Sequence, residues 1–228
     1  MMIEKGHTIP VLDHGYVRYI DHLGSDQRIL EAARISYKSP SKGEEADRKL
    51  LGYLWNHKHT SPFEQCSITL NVKMPIFVMR QWVRHRTAKL NEMSARYTEL
   101  PKEFYVPTQW RAQDTKNKQG SAGGFGSRRN TSFSEALIKH SQESFELYRE
   151  YMDMGVAREL ARMVLPVNVY TEIYWTMDLH NLLHFLRLRE DAHAQWEIQE
   201  YGRAIRVILE DLFPWTMDAY DKANRGNA

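Results

Sequence analysis

A single cysteine, Cys66, among 228 residues excludes an internal disulfide framework, a cysteine-rich zinc site and a CxxC redox pair, and fits a reducing cytoplasm. Charge of neither sign dominates: 31 Lys and Arg stand against 29 Asp and Glu, a formal net charge of +2. That balance removes the broad positive field of non-specific nucleic-acid binders, so nucleic acid is not an expected partner and any electrostatic function must be local. No uninterrupted apolar run approaches the roughly 20 residues needed to span a bilayer. The opening Met-Met-Ile-Glu-Lys-Gly-His-Thr-Ile-Pro lacks the apolar centre of a secretion signal. The expectation is a soluble, cytoplasmic protein with no membrane partner. No internal repeat is visible.

What the chain does have is 42% hydrophobic and 11% aromatic residues, enough at this length to bury a sizeable core in one domain spanning 1–228. Apolar residues at helical spacing predict helices over Asp26–Tyr37 (Ile29, Leu30, Ala33, Ile35) and Glu44–His57 (Leu50, Leu51, Leu54). Ser61-Pro62-Phe63-Glu64 reads as a capping box with proline at the first helical position. Cys66 to Met74 alternates apolar and polar residues, the period of a half-buried strand. Pro75 then opens a helix expected to carry an Arg-rich segment, residues 80–97. Residues 110–131 are dense in Gly, Ser, Asn, Gln and Lys, so 111–131 is expected to be a flexible loop or a lid. Ser132 and Glu135 read as a second capping box, opening a helix that runs through Met154 to Gly155. A short helix over Ala157–Leu165, a strand over Val167–Met177, and helices over Leu179–Glu190 and Gln195–Leu212, with Pro214 after the last, complete the reading. The fold class expected is helix-rich α+β, a single domain with a small, mainly antiparallel sheet.

The Arg-rich segment is the least ordinary part of the chain. Arg80, Arg84, His85, Arg86, Asn91, Glu92, Ser94 and Arg96 stand close together, whereas an idle helix surface usually mixes charge signs in i,i+4 pairs. Like charges so clustered repel unless an anion answers them, and guanidinium forks suit phosphate. The bland alternative is a solvated charged face over a core of Trp82, Val83 and Tyr97. Ser94 has no local Asp or second His to complete a triad, so its simplest role beside arginines is donation to a phosphate. His180 and His184 have metal-pair spacing, but Asn181 stands where a zincin carries Glu and no third ligand is evident; no metal is expected.

Arg84-His85-Arg86, seven residues, then Ser94, within Asn91-Glu92-x-Ser94-x-Arg96-Tyr97, resembles the defining motif of the flavin-dependent thymidylate synthases. Further blocks resemble that family in its order: His59-Thr-Ser-Pro-Phe-Glu64, Arg80-Gln-Trp82, Ala161-Arg162-x-Val-Leu-Pro166-x-Asn168 and Leu188-Arg189-x-Asp191-Ala-His193-Ala-Gln195-Trp-Glu197-Ile198. The matches run from about Ser36 to Trp215. One basic triplet is weak evidence; several ordered blocks are strong.

The resemblance implies reductive methylation of dUMP to dTMP, with methylenetetrahydrofolate as one-carbon donor and NADPH as reductant through FAD, by a homotetramer. The residue inventory suits it: Cys66 has no neighbour that would lower its pKa, so a thiolate adding to uracil is not expected, and a permanently charged arginine can stabilise charge developing on the ring instead. By matching position, Arg189 is the catalytic, uracil-facing cation, although a helix-terminal arginine is by itself well explained by the macrodipole. The dUMP-binding residues implied are Gln81, Arg84, Glu92, Ser94, Ala95 through its backbone N–H, Arg96, Arg189 and Arg162, the last from a neighbouring subunit. Those implied for FAD are His59, Ser61, Glu64, Arg84, His85, Arg86, Asn91, Glu92, Asp178, His180, His184 and His193. Ser61 and Glu64 are also explained as a helix cap, and His193 as a core histidine. The chain departs from the family pattern at Lys89, often serine, at Ala95, often glycine, at Asp178, His180 and His184, more often Asn or Arg, and in the Gly-rich stretch 119–127.

Overall fold

In the computed structural model, which describes residues 3–36 and 38–225, the chain opens with an antiparallel hairpin, β1 (Thr8–Val11) and β2 (Gly15–Leu23). This hairpin precedes Asp26, where the elements expected from the sequence begin. Its signal is nonetheless local: Val17 and Tyr19 are buried on β2 while Tyr16, Arg18 and Ile20 between them are only half-buried, a period of two.

Helices α1 (Asp26–Arg34) and α2 (Glu44–Asn56) follow, then the one-turn α3 (Ser61–Glu64). Helix α1 stops short of the expected Tyr37: Ile35 is its C-cap and Ser36 is already in a turn, while Tyr37 itself lies outside the described residues. The capping box at Ser61 does not form: Thr60 is the N-cap, it makes no side-chain bond, and Ser61 is already helical. With Thr60 at the N-cap, Glu64 falls one position beyond the N3 site from which a capping-box side chain reaches back.

Strand β3 (Ser67–Pro75) sits at the centre of the sheet, and α4 (Ile76–Trp82) springs from it. The Arg-rich segment departs from expectation here. Helix α4 stops at Trp82, Val83–Ala88 form a turn, and Lys89–Glu92 become an edge strand, β4. From Arg84 to Arg86 there is no apolar side chain to bury, so further helix gains nothing by packing. The N–H groups of Arg84 and His85 turn back onto Gln81 and Trp82, and Lys89–Glu92 then pair with the edge of β7.

Strands β5 (Arg111–Gln113) and β6 (Ser121–Gly124) form a separate hairpin within the segment read as a loop. Helix α5 (Ser127–Asp153) begins before Ser132, so Ser132 and Glu135 lie inside it and cap nothing. It ends as expected at Gly155, whose φ of +81° is the left-handed C-terminal turn that glycine adopts without strain. Next come α6 (Arg158–Ala161), a 3-10 turn (Arg162–Val164), β7 (Tyr170–Asp178), α7 (Leu179–Arg189), α8 (Trp196–Leu212) and α9 (Pro214–Arg225). Pro214 had been read as a stop; it is the first residue of α9, a position proline favours.

The sheet runs β1-β2-β3-β7-β4 and every neighbouring pair is antiparallel. The main core lies between this sheet and α1, α2, α7, α8 and α9. At its centre, fully buried Trp82 meets Trp175 of β7, Phe185 of α7 and Tyr201 of α8 at ring-centroid distances of 5.1, 4.7 and 5.9 Å. Truncating such a side chain typically costs about 3–5 kcal/mol. The cluster fixes the end of α4, and with it Gln81 and His85, against α7.

Candidate active site

Three groups of side chains lie around the ends of α4, α7 and β7. The first is centred on Arg189, the last residue of α7. Its Nε–H donates to Nε2 of His85 (3.0 Å) and Nη2 to the carbonyl of Gln81 (3.4 Å). The amide of Gln81 donates to Oε1 of Gln195, just ahead of α8. His85 lies edge-on to Phe185, centroids 4.8 Å apart. Burial, then the charge of Arg189, then His184, pulls its pKa down to about 4. Its Nε2 is accordingly a lone-pair acceptor on a neutral ring. Burial also lowers Arg189 from the usual guanidinium value, yet a guanidinium keeps its proton. Among the described residues Arg189 forms no ion pair, whereas Arg206 and Arg111 are each matched by carboxylates.

The second group surrounds a cavity of about 310 Å³ bordered by Glu92, Ser94, Ala95, Arg162 and Thr171. Thr171 of β7 donates to Oε1 of Glu92 (2.7 Å), which fixes that carboxylate at the sheet edge. The Ser94 hydroxyl accepts from the N–H of Arg96 (3.3 Å). Arg96 reaches Glu159 of α6 (3.2 Å), and Nε of Arg162 donates to the carbonyl of Glu159 (3.4 Å). Arg162 and the Ser94 hydroxyl thus share one cavity with the Glu92 carboxylate, while Arg96 lies beside it, on Glu159.

The third is a cavity of about 490 Å³ lined by Trp55, Lys58, His59, His180, His184 and Arg187, among others. Nδ1 of His180 is buried there without a hydrogen-bond partner, an omission that native structures rarely leave unexplained. Nδ1 of His184 accepts from Arg187 (3.0 Å), and the His184 ring lies 6.2 Å from His85, joining this cavity to the Arg189 group.

The family model described as thymidylate synthase complementing protein matches residues 18–215. Proteins named flavin-dependent thymidylate synthase are 49% identical in Thermus thermophilus, over 94% of this chain and 78% of that one, and 44% identical in Thermosipho melanesiensis, over 94% and 93%. The chain belongs to the flavin-dependent thymidylate synthase family. Among solved structures, the UMP/dUMP methylase PolB from Streptomyces cacaoi bound with 5-Br dUMP superposes with a TM-score of 0.85 at 32% identity, covering 94% of this chain and 97% of that one.

The blocks shared with flavin-dependent thymidylate synthases do not form one cluster on a single chain. Gln81, His85 and Arg189 meet; Glu92, Ser94, Ala95 and Arg162 meet; His59, His180 and His184 meet. Among the described residues no hydrogen bond or ion pair joins Arg189 to Ser94, Arg96 or Arg162. Arg84, Arg86 and Asn91 are exposed, and the two arginines form no ion pair among the described residues. Ser61 and Glu64 are exposed on α3, near His59 in sequence. Asp178 is the N-cap of α7, its carboxylate accepting from the N–H and the amide of Asn181 (2.9 and 2.7 Å), a local duty that explains the residue without a cofactor. His193 is exposed and bonded to Asp191 (2.9 Å), not a core histidine. No group of three or more His, Cys, Asp or Glu side chains that could hold a metal occurs among the described residues.

Five contributors were not singled out in the sequence: Gln195, Thr171, Glu159, Lys58 and Arg187. Gln195 and Arg187 sit beside or inside a family block, so block membership could have flagged them; Thr171 acts through a partner far away in the chain, and Glu159 through distant Arg96 as well as through Arg162 three residues on. Cys66 is fully buried, its thiol donates to the carbonyl of Ser25 (3.7 Å), and burial pushes its pKa up to about 11. Gly24 lies so close over it that a Cβ there would meet Sγ at 2.4 Å.

Proposed function

We propose that the chain methylates dUMP to dTMP, taking the one-carbon unit from methylenetetrahydrofolate and reducing equivalents from NADPH through bound FAD, in the cytoplasm and as a homotetramer. The names of its relatives support the reaction class, and the nucleotide analogue in PolB supports a dUMP-like ligand. The observation that carries the reading is Arg189, a half-buried guanidinium held by two neutral acceptors and matched by no carboxylate among the described residues. A cation so placed has charge to spare for a ligand, and in a partly desolvated setting it stabilises negative charge developing on uracil far better than water does. His85 assists by staying neutral: a second cation there would repel Arg189.

Ser94, Arg96 and Arg162 suit the phosphate of dUMP, with Glu92 and the backbone N–H of Ala95 completing that side. Their separation from Arg189 on one chain favours sites shared between subunits; because Arg162 lies with Ser94 on the same chain, it is the whole phosphate group, not Arg162 alone, that one subunit would bring to the Arg189 of its neighbour. The residues present also fit a phosphorylated, ring-bearing cofactor: unpaired Arg84 and Arg86, the partnerless Nδ1 of His180, and the imidazoles of His59 and His184 along one cavity. When bound, FAD supplies the hydride chemistry that no side chain here can perform. The buried, pKa-raised thiol of Cys66 supports a route without an enzymic cysteine nucleophile.

The test is spectroscopic. Purified protein should show a bound-flavin absorption that NADPH bleaches under anaerobic conditions. Adding dUMP and methylenetetrahydrofolate should restore the absorption and yield dTMP. A protein that binds no flavin on reconstitution and forms no dTMP sinks the reading.

A further inference from the structure

Arg111 lies outside every family block, on the β5–β6 hairpin. Its Nη2 donates to both carboxylate oxygens of Glu197, at 2.7 and 2.8 Å. The hydroxyl of Tyr105 donates to the same carboxylate at 3.1 Å. Glu197 is 2% exposed, in the first turn of α8, where the helix dipole favours an anion.

A cavity of about 540 Å³, with Arg111, Glu197, Gln195 and His193 in its wall, lies beside the hairpin, so apolar packing alone does not join the hairpin to α8. Arg111 spans that boundary, its guanidinium also lying 5.7 Å from the centroid of the Trp196 ring. The other side of the hairpin is braced on α5. The N–H of Trp110 donates to Asn130 (2.7 Å) and its indole N–H to Ser134 (3.0 Å). Arg111 therefore presents Nη2 from a fixed base.

Two residues before Glu197, Gln195 receives the amide of Gln81, whose carbonyl in turn receives Arg189. We propose that Arg111 is a positioning residue for Arg189, acting through Glu197, Gln195 and Gln81. The proposal rests on the reading of Arg189 as the uracil-facing cation. Arg111 touches neither substrate nor cofactor; it holds the start of α8 so that Gln195 keeps Gln81 in register beneath the guanidinium. A displacement of about 1 Å at a reacting group is enough to cost on the order of a hundredfold in rate.

The experiment uses the full chain reconstituted with FAD. In Arg111→Gln, kcat for dTMP formation should fall roughly ten- to a hundredfold, while KM for dUMP and the rate of NADPH-driven flavin bleaching stay at the wild-type level. Arg111→Lys keeps a charged nitrogen that can reach Glu197 but loses the planar guanidinium lying by the Trp196 ring, so its kcat should fall between the two. A merely structural tie predicts a lower Tm with unchanged kcat per folded, flavin-loaded protein, and that result overturns the proposal. So does a parallel loss of flavin bleaching and dTMP formation. If Arg111→Gln does not fold, Tyr105→Phe, which removes one of the two donors to Glu197, is read on the same two rates; wild-type kcat there overturns the proposal. Wild-type protein run in parallel separates the two failures: if it forms no dTMP, the functional reading has failed, not the link from Arg111 to Arg189.

Discussion

The Nε–H of Arg189 points its proton at Nε2 of His85, 3.0 Å away, a bond that exists only while the imidazole is neutral. Burial and the adjacent guanidinium secure that state, with a His85 pKa of about 4 against 6.5 for an ordinary histidine. The sign of the pH dependence follows. Between about pH 6.5 and 4 the unfolded chain binds a proton at this position that the folded chain refuses, so stability is complete above 6.5 and falls as pH drops through that window. Thermal unfolding should show Tm declining from about pH 6.5 to 4 in the wild type. In His85→Gln, which retains an acceptor but does not titrate, that part of the decline should vanish; an unaltered profile would show that His85 is not the group responsible.

Arg189→Ala removes the cation and leaves Gln81 and His85 with ordinary hydrogen-bonding alternatives. The expected outcome is loss of turnover by at least roughly 10²–10³, the scale for removing a single charge-stabilising donor. FAD content and Tm should stay near wild type, because the residue is only half-buried and its partners are neutral. Flavin absorbance per mole of purified protein, measured beside dTMP formation, decides it. Loss of flavin along with activity would reassign Arg189 to the cofactor.

Asp26 ties the first helix to the last. Its carboxylate accepts from the N–H of Trp215 (2.8 Å), the N–H of Thr216 (3.1 Å) and the hydroxyl of Thr216 (2.5 Å), so it caps α9 from α1 across the whole chain. Asp26→Ala leaves three donors unmet, the two of Thr216 buried, and should cost about 1–3 kcal/mol, lowering Tm by several degrees without changing kcat of the folded enzyme. Asp26→Asn keeps one carbonyl oxygen and should lose less. Equal Tm values for Ala and Asn would show that the cap does not hold α9 in place.

This long-range cap also shows where sequence reading ends. Helices α1, α2, α7 and α8 and strands β3 and β7 were legible, since each buries an apolar face whose period is written in its own residues. Residues 84–92 were not. Every residue of β4 is exposed, so no alternation appears, and its strand form comes from pairing with β7. Pro214 could be read locally as a helix end or a helix start; α9 is the outcome because Met217, Ala219 and Tyr220 bury in the core and Asp26, far off in sequence, caps its start. The site divides likewise. Its arginines and histidines stood out in the family blocks, whereas Gln195 beneath Gln81, Thr171 on Glu92 and Glu159 on Arg96 depend on tertiary contacts.

Glu159 occupies the place where a phosphate would compete. Its carboxylate pairs with Arg96 at 3.2 Å, both side chains more than half exposed, while its carbonyl receives Arg162. If these arginines bind the phosphate of dUMP, the nucleotide must first displace that carboxylate. Arg96→Ala then weakens dUMP binding by about 1.5–3 kcal/mol, the scale of a charged hydrogen bond. Glu159→Gln acts in the opposite direction: an exposed pair is worth less than about 1 kcal/mol, so dUMP affinity should rise by a few-fold and no more. Titration calorimetry on the two variants separates the roles. Opposite shifts place the phosphate on Arg96; a Glu159→Gln protein with wild-type affinity, beside an Arg96→Ala protein that also binds normally, would move the phosphate site elsewhere.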